Sequence, residues 1–358
     1  LSQSSKHLIE DSVSLLCHMP LLDFSPAGIY CSQARIYIDP WKKVDKALIT
    51  HGHADHARWG MEHYLCTVSA APVIQHRLNI ESNRIQTVDY GEKVTINGVQ
   101  FSFHPAGHVI GSAQIRVEYK GEVWVVTGDY KTDPDGISEP FEPVKCHTLI
   151  TESTFGLPVY QWQPQEQVFE QINLWWRMNR QRGINSVLLA YSLGKAQRIL
   201  ANIDSSIGPI YAHLAVEHLN KIIRRQGFNL PECRHATAAE KEKIRGALII
   251  APPAAAGTPW MKKFAPYELG VASGWMSIRG ARRRRAADIG FVLSDHADWK
   301  GLNAAVETSG AETVYVTHGY SDIFAQWLTS RGLDGRVVQT AYGDDETTEP
   351  EIKEETPS

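Results

Sequence analysis

The chain has 358 residues, 43% hydrophobic and 21% charged, with a formal net charge of −4. That is a globular composition, long enough for two domains. No run of eighteen apolar residues occurs, which excludes a membrane-spanning helix, and the polar start LSQSSKHLIEDSVS lacks the apolar centre of a secretory signal.

Strand-like runs come first in chain order: Arg35–Asp39, Ala47–Thr50, Val99–Phe103, Ala113–Glu118, Glu122–Thr127 and Thr148–Thr151. Short helices are expected near Ala57–Met61 and Pro72–Leu78. The texture changes at Phe155. A helical pattern covers Pro164–Arg182, with Val168, Ile172, Trp175 and Trp176 on one face. Strand and helix then alternate: Ser186–Ala190, a helix from about Gly194, Ile210–Ala212, a helix over Ala215–Arg225, and Ala247–Pro253. This alternation predicts a small parallel α/β unit. Strand-like runs return at Gly290–Ser294 and Thr313–Gly319, and Arg336–Thr340 is expected to close the sheet. The expected organisation is a strand-rich domain over 1–155 and 288–342, an α/β insert over 156–287, and a disordered acidic tail over 343–358.

Charge follows the same division. Residues 156–287 hold nineteen Lys/Arg against eight Asp/Glu, whereas the tail holds seven acids and one lysine. A basic insert suits a polyanionic partner. Five scattered cysteines, Cys17, Cys31, Cys66, Cys146 and Cys233, form no CxxC pair. They read as reduced thiols of a cytoplasmic protein.

The sharpest local signal is His51-Gly52-His53-Ala54-Asp55-His56, directly after the run ALIT. Imidazoles and a carboxylate together suit borderline divalent cations, zinc above all. At a strand end alternate residues can face one pocket, so His51 and His53 can share one ion, and Asp55 and His56 a second. This HxHxDH pattern resembles that of the metallo-β-lactamase superfamily, which implies an αββα sandwich with further ligands at later strand ends. In that order come His108, in the loop AGHVIGSA, and Asp129, which ends EVWVVTGD and can bridge two cations. His104 is read as structural, and Asp133 and Asp135 as turn residues. By resemblance Asp39, at the end of RIYID, orients ligands from behind; a plain strand-end turn is the other reading.

The motifs Thr151-Glu152-Ser153-Thr154, then Ser294-Asp295-His296-Ala297-Asp298, then Thr317-His318-Gly319 resemble the β-CASP branch, in which a cap domain is inserted in the lactamase fold. The resemblance implies a metal-dependent nuclease. His51, His53 and His108 would hold one zinc, Asp55, His56 and His318 the other, and Asp129 would bridge them, with manganese as the alternative metal. His296 would face the scissile phosphate, oriented by Glu152. The catalytic set is then Asp55, Asp129, His296 and Glu152. Four stretches, Gly28–Trp41, Tyr191–Leu200, Ser273–Trp299 and Val316–Gly319, are similar to the bacterial ligase-associated DNA exonuclease family. That similarity implies DNA, single-stranded or with a free end, as substrate, and an ATP-dependent DNA ligase and a helicase as functional partners.

Nucleic-acid contacts are expected from Lys195 and Arg198 at a helix start, from Arg279, Arg282, Arg283, Arg284 and Arg285 as a groove wall, from Trp275 by stacking, and from Ser112. Two other readings share parts of this pattern. An RNA-processing β-CASP ribonuclease shares every catalytic residue, and a histidine like His318 is usual in those relatives. A small-molecule metallo-hydrolase fits less well with the basic insert.

Overall fold

The computed structural model describes residues 20–235, 244–278 and 287–342. The chain opens with a six-stranded sheet whose strands neighbour one another in chain order: β1 (Asp23–Ser25), β2 (Gly28–Cys31), β3 (Ile36–Ile38), β4 (Lys46–Leu48), β5 (His63–Thr67) and β6 (Ile85–Val88). Pairing is antiparallel through β3 and parallel from there on. Helix α1 (Ala71–Leu78) covers its outer face, burying Ile74 and Leu78 against Ile49, Tyr64 and Cys66.

The second sheet begins with β7 (Lys93–Ile96), β8 (Val99–Pro105), β9 (Ala113–Tyr119), β10 (Glu122–Val126) and β11 (Thr148–Ser153). The alternation in β8 is a one-sided strand pattern: Val99, Phe101 and Phe103 are all fully buried. They meet Ile29, Ile38 and Leu48 of the first sheet in one core between the two sheets.

After β11 the chain leaves to build a third sheet. Its elements are α2 (Gln165–Gln181), β12 (Asn185–Leu189), α3 (Lys195–Asn202), β13 (Ile210–Ala212), α4 (Leu214–Arg225), β14 (Arg234–His235), β15 (Leu248–Ala251), α5 (Pro259–Lys262), β16 (Tyr267–Ala272) and β17 (Ile289–Phe291). All six strands are parallel, in the order β14-β13-β15-β12-β16-β17. Parallel strands covered on both faces carry continuous apolar runs; β12 and β15 are buried along their whole length. Val168, Ile172, Trp175 and Trp176 line the inner face of α2.

The chain then returns through α6 (Trp299–Ser309) to β18 (Thr313–Gly319), α7 (Ser321–Ser330) and β19 (Asp334–Val337). Asp298 caps α6 by accepting from Gly301 N at 2.8 Å, and Gly310 ends it at φ +68°. β18 pairs in parallel with β11, and β19 with β18, completing seven strands. Leu302, Val306, Phe324 and Leu328 of α6 and α7 cover the outer face over Val123, Val125 and Val314. The result is the αββα sandwich with an α/β insert. Among the described residues no helix is long and apolar enough to cross a membrane.

Two expected elements differ. Residues 57–61 form turns rather than a helix: the turn Ala57 N to His53 O is not continued, and Gly60 takes φ +107°. The run Gly290–Ser294, expected to rejoin the strand-rich part, instead gives β17 at the edge of the insert's own sheet, because Gly270, Val271 and Ala272 pair with Ile289, Gly290 and Phe291. The acidic tail and Arg279 to Arg285 lie outside the described residues.

Phe101 sits where the two sheets face each other. Phe101→Ala leaves a cavity there and is expected to cost about 3–5 kcal/mol, read as a lowered denaturation midpoint; an unchanged midpoint would contradict this packing.

Candidate metal centre

Parallel strands align their C-terminal ends, and the candidate side chains collect at that edge of the sandwich. Asp39 follows β3, His51 follows β4, Asp129 follows β10, Glu152 lies near the end of β11 and His318 near the end of β18. β8 and β9 run opposite ways, so the turn between them delivers His108 to the same edge. Ala113 N donates to Thr50 O at 2.8 Å and joins the two sheets there.

The Asp129 carboxylate is buried at the centre. Its Oδ1 is 3.0 Å from His318 Nε2; its Oδ2 is 3.5 Å from His51 Nε2, 3.5 Å from His56 Nε2 and 3.8 Å from His108 Nε2. His56 Nε2 also lies 3.6 Å from Asp55 Oδ2. Ligand-capable atoms of His51, His53, His108 and Asp129 all fall within 4.8 Å of one another, as do those of Asp129, Glu152 and His318. The structure thus brings together the seven side chains named as candidate ligands.

Each imidazole is held from behind. Asp39 accepts from His56 Nδ1 at 2.7 Å and from Thr50 N and Oγ1 at 2.8 and 2.5 Å. Thr50 Oγ1 lies 3.1 Å from His51 Nδ1, and Thr317 Oγ1 lies 3.1 Å from His318 Nδ1. His53 Nε2 lies 3.2 Å from Leu193 O, and His108 Nδ1 lies 2.8 Å from Asp295 O. A carbonyl oxygen only accepts, so these two ring nitrogens carry the protons. In neutral rings the opposite nitrogens, His53 Nδ1 and His108 Nε2, then face each other with lone pairs 3.0 Å apart.

Two lone pairs at that distance repel unless a positive charge lies against them, and a buried carboxylate beside them adds to the demand. Among the described residues neither His56 Nε2 nor Asp129 Oδ2 has a hydrogen-bond partner. Burial pulls the His56 imidazolium down, but the charges of Asp129 and Asp55, with Asp39 behind, outweigh it and raise its pKa well above the usual value. Burial likewise opposes charge on His318, and Asp129 overrides it. These residues fit bound divalent cations by geometry, by donor set and by field.

His296 stands beside the cluster without belonging to it. Its Nδ1 lies 2.9 and 3.1 Å from the two oxygens of Glu152, and its ring centroid lies 4.6 Å from that of His108. Glu152 also accepts from Tyr130 N at 2.9 Å and Thr154 N at 3.2 Å, so its oxygens are occupied by donors. Trp162 Nε1 donates to His296 O at 3.0 Å.

Three expected nucleic-acid contacts are placed otherwise. Ser112 is buried, and its Oγ accepts from His108 N and Val109 N at 3.1 and 3.2 Å, shaping the ligand loop. Arg198 is buried and donates to Ser294 O at 2.5 Å, Asp295 Oδ1 at 3.1 Å and Gln165 Oε1. Lys195 is buried with Nζ 3.8 Å from Asp295 Oδ2 and 4.9 Å from the Tyr191 ring centroid. Trp275 is half-buried, its ring 5.0 Å from Phe155, which is itself 6.1 Å from His296. Arg279, Arg282, Arg283, Arg284 and Arg285 lie outside the described residues. His104 points away from the centre to Ser102 and Glu142, and Asp135 caps a turn through Ile137 N and Ser138 N.

Tyr342 was not foreseen. It stacks on His56 at 4.5 Å and 8°, and its hydroxyl donates to Asp39 O at 3.2 Å. The paired threonines were legible in retrospect, since both β4 and β18 lead into Thr-His-Gly.

A cation that binds only the folded chain stabilises it, by about 4 kcal/mol at a thousand times its dissociation constant. The chelator-treated chain should therefore melt below the metal-loaded one in a thermal scan; equal midpoints would mean that these side chains bind no cation.

No family model matches the chain. It is 31% identical over 336 residues to a probable DNA ligase of Opitutus terrae, an alignment covering 92% of this chain and 32% of that one. It is 28% identical over 194 residues to the endoribonuclease YSH1 of Yarrowia lipolytica, covering 45% of this chain and 23% of the relative. The chain thus spans a third or less of the length of these curated relatives. A solved structure of a protein of unknown function from Enterococcus faecalis V583 has a TM-score of 0.56 at 10% identity, covering 83% of this chain and 79% of that one, and shares the fold. With the sandwich, the insert and the ordered motifs in place, the chain has the architecture and motif order that its sequence shares with the β-CASP branch of the metallo-β-lactamase superfamily.

Proposed function

We propose that the chain is a two-metal, zinc-dependent nuclease that hydrolyses phosphodiester bonds in DNA. The observation that carries this reading is the set of inward-facing nitrogens of His51, His53, His56, His108 and His318 around the buried Asp129 carboxylate. His51, His53 and His108 would hold one ion, Asp55, His56 and His318 the other, with Asp129 between them. Bound there, two divalent cations supply positive charge to an anionic phosphodiester and lower the pKa of water toward ~7.

The chain's own residues divide the remaining work. Asp55 and Asp129 hold the attacking water, which gives up one proton to solvent and attacks as hydroxide, in line with phosphorus. As the new P–O bond forms, the bond to the departing sugar oxygen breaks, and that oxygen needs a proton. His296 supplies it from Nε2, while Glu152 on Nδ1 fixes the ring and stabilises its charged form. Trp275 offers a face for a base, and the basic run from Arg279 to Arg285 adds positive charge that suits a phosphate backbone.

The likeness to a protein named as a probable DNA ligase supports association with a DNA ligase; exonuclease action at a free DNA end, in repair with that ligase and a helicase, is part of the proposal. A specific observation favours a second reading, RNA cleavage: His318 contacts Asp129 at 3.0 Å, and a histidine at this motif is usual in RNA-processing relatives, among whose names is an endoribonuclease.

Digestion of single- and double-stranded DNA and RNA, labelled at either end, separates the two. Release of labelled nucleotides from DNA ends is expected; faster cutting of RNA would transfer the assignment. Asp129→Ala should abolish hydrolysis and lower zinc content. His296→Ala should slow hydrolysis by about 10²–10⁴-fold with zinc retained by elemental analysis, and zinc loss in that variant would make His296 a ligand.

A further inference from the structure

The five candidate ligand histidines are oriented from two different bodies. His51, His56 and His318 are held by Thr50, Asp39 and Thr317, all within the sandwich. His53 and His108 are held by Leu193 O and Asp295 O. Leu193 lies in the turn between β12 and α3, and Asp295 in the loop that leaves β17. Both carbonyls therefore stand just past strand ends of the inserted sheet, where open α/β sheets present their loops.

The two loops are locked to each other. Arg198 of α3 grips Ser294 O and the Asp295 carboxylate, and Lys195 lies against the same carboxylate. They are also keyed into the ligand loops. A Cβ at Gly52, between His51 and His53, would come 3.3 Å from Leu193 Cδ2. Gly194, at φ +89°, lies where a side chain would collide with Val109, the neighbour of His108. Leu193, Val73 and Ile110 share one buried cluster across the junction.

From this geometry we infer that the insert is a metal-affinity element: its seating sets the lone pairs of His53 and His108, so the ion held by His51, His53 and His108 binds tightly only when the insert is docked, whereas the ion held by Asp55, His56 and His318 does not depend on it. Arg198 is then a positioning residue for metal binding. The inference rests on the two-metal reading above. Its physical ground is that a metal-ligating imidazole whose rear N–H loses its acceptor loses tautomer and ring orientation, typically weakening binding ~10–100-fold.

The test uses the full chain and needs no substrate. Metal-free protein is titrated with zinc by calorimetry, and bound zinc is counted after dialysis against graded chelator. The unaltered chain should take two ions. Arg198→Ala should keep one at native affinity and weaken the other ~10–100-fold. Asp295→Asn, which retains the backbone carbonyl and the side-chain shape but loses the ion pair, should weaken the same ion more mildly and keeps the test open if Arg198→Ala misfolds. Thr317→Val should weaken the opposite ion. Cobalt substitution identifies which site is affected, since His53→Ala and Thr317→Val should remove different parts of the visible spectrum and Arg198→Ala should match the former. Two ions at native affinity in both Arg198→Ala and Asp295→Asn would overturn the inference, as would equal weakening of both ions. An unaltered chain that takes fewer than two ions would instead overturn the metal-centre reading, and the inference with it.

Discussion

A buried carboxylate ringed by imidazole lone pairs is the constraint around which the rest of the molecule is arranged. Asp129 is removed from water, where an isolated charge is expensive, and among the described residues its Oδ2 has no hydrogen-bond donor. The surrounding nitrogens cannot relieve it as neutral rings, because their N–H groups point outward to Thr50, Asp39, Leu193, Asp295 and Thr317. A bound cation relieves this arrangement, as protonation of His56 and His318 does in part, and the binding energy of such a cation becomes folding energy.

The sandwich is what makes so strained a set of charges tolerable. Each half places parallel strands so that their ends arrive at one edge, and the apolar core between the sheets, with Phe101, Phe103, Ile38 and Leu48 at its centre, supplies the burial that offsets the polar rim. Helices α1, α6 and α7 seal the outer faces with apolar stripes. The ligands then ride on strand ends or on tight turns, so their positions are inherited from the sheets rather than from mobile loops.

The chain order of the motifs carried much of the site. His51 to His56 were legible because four ligand types crowd six residues after an apolar run, and the later motifs follow at strand ends that alternate visibly. What failed was the reading of polar residues in loops. Ser112, Lys195 and Arg198 look solvent-facing in sequence, yet each is buried, because a loop between two packed bodies is interior and its polar groups must find partners there. The backbone acceptors at Leu193 and Asp295 leave no trace in side-chain chemistry, and Tyr342 is 286 positions from the ring it stacks on. The fate of Gly290–Ser294 was undecidable locally, since an apolar run fits either sheet and only the pairing with β16 assigns it.

The buried ions at the junction raise a final question of why they are there. Arg198, Lys195 and Asp295 are nearly inaccessible, as is Lys131, whose ammonium is pushed down to about 8, chiefly by burial and then by Arg198. Replacing such a cluster by apolar side chains is often neutral or stabilising, and Leu193, Val73 and Ile110 already provide an apolar contact across the same junction. Apolar surfaces, however, slide and repack with little directional preference, whereas a guanidinium held by Gln165 through Nε and Nη2, with its Nη1 on one carbonyl and one carboxylate, restricts the position of the segment between Ser294 and His296. That segment carries both the acceptor for His108 and the imidazole paired with Glu152. A displacement there would disturb a candidate metal ligand and the candidate proton donor together, so the ionic cluster is best understood as fixing register at the point where the insert meets the reaction centre.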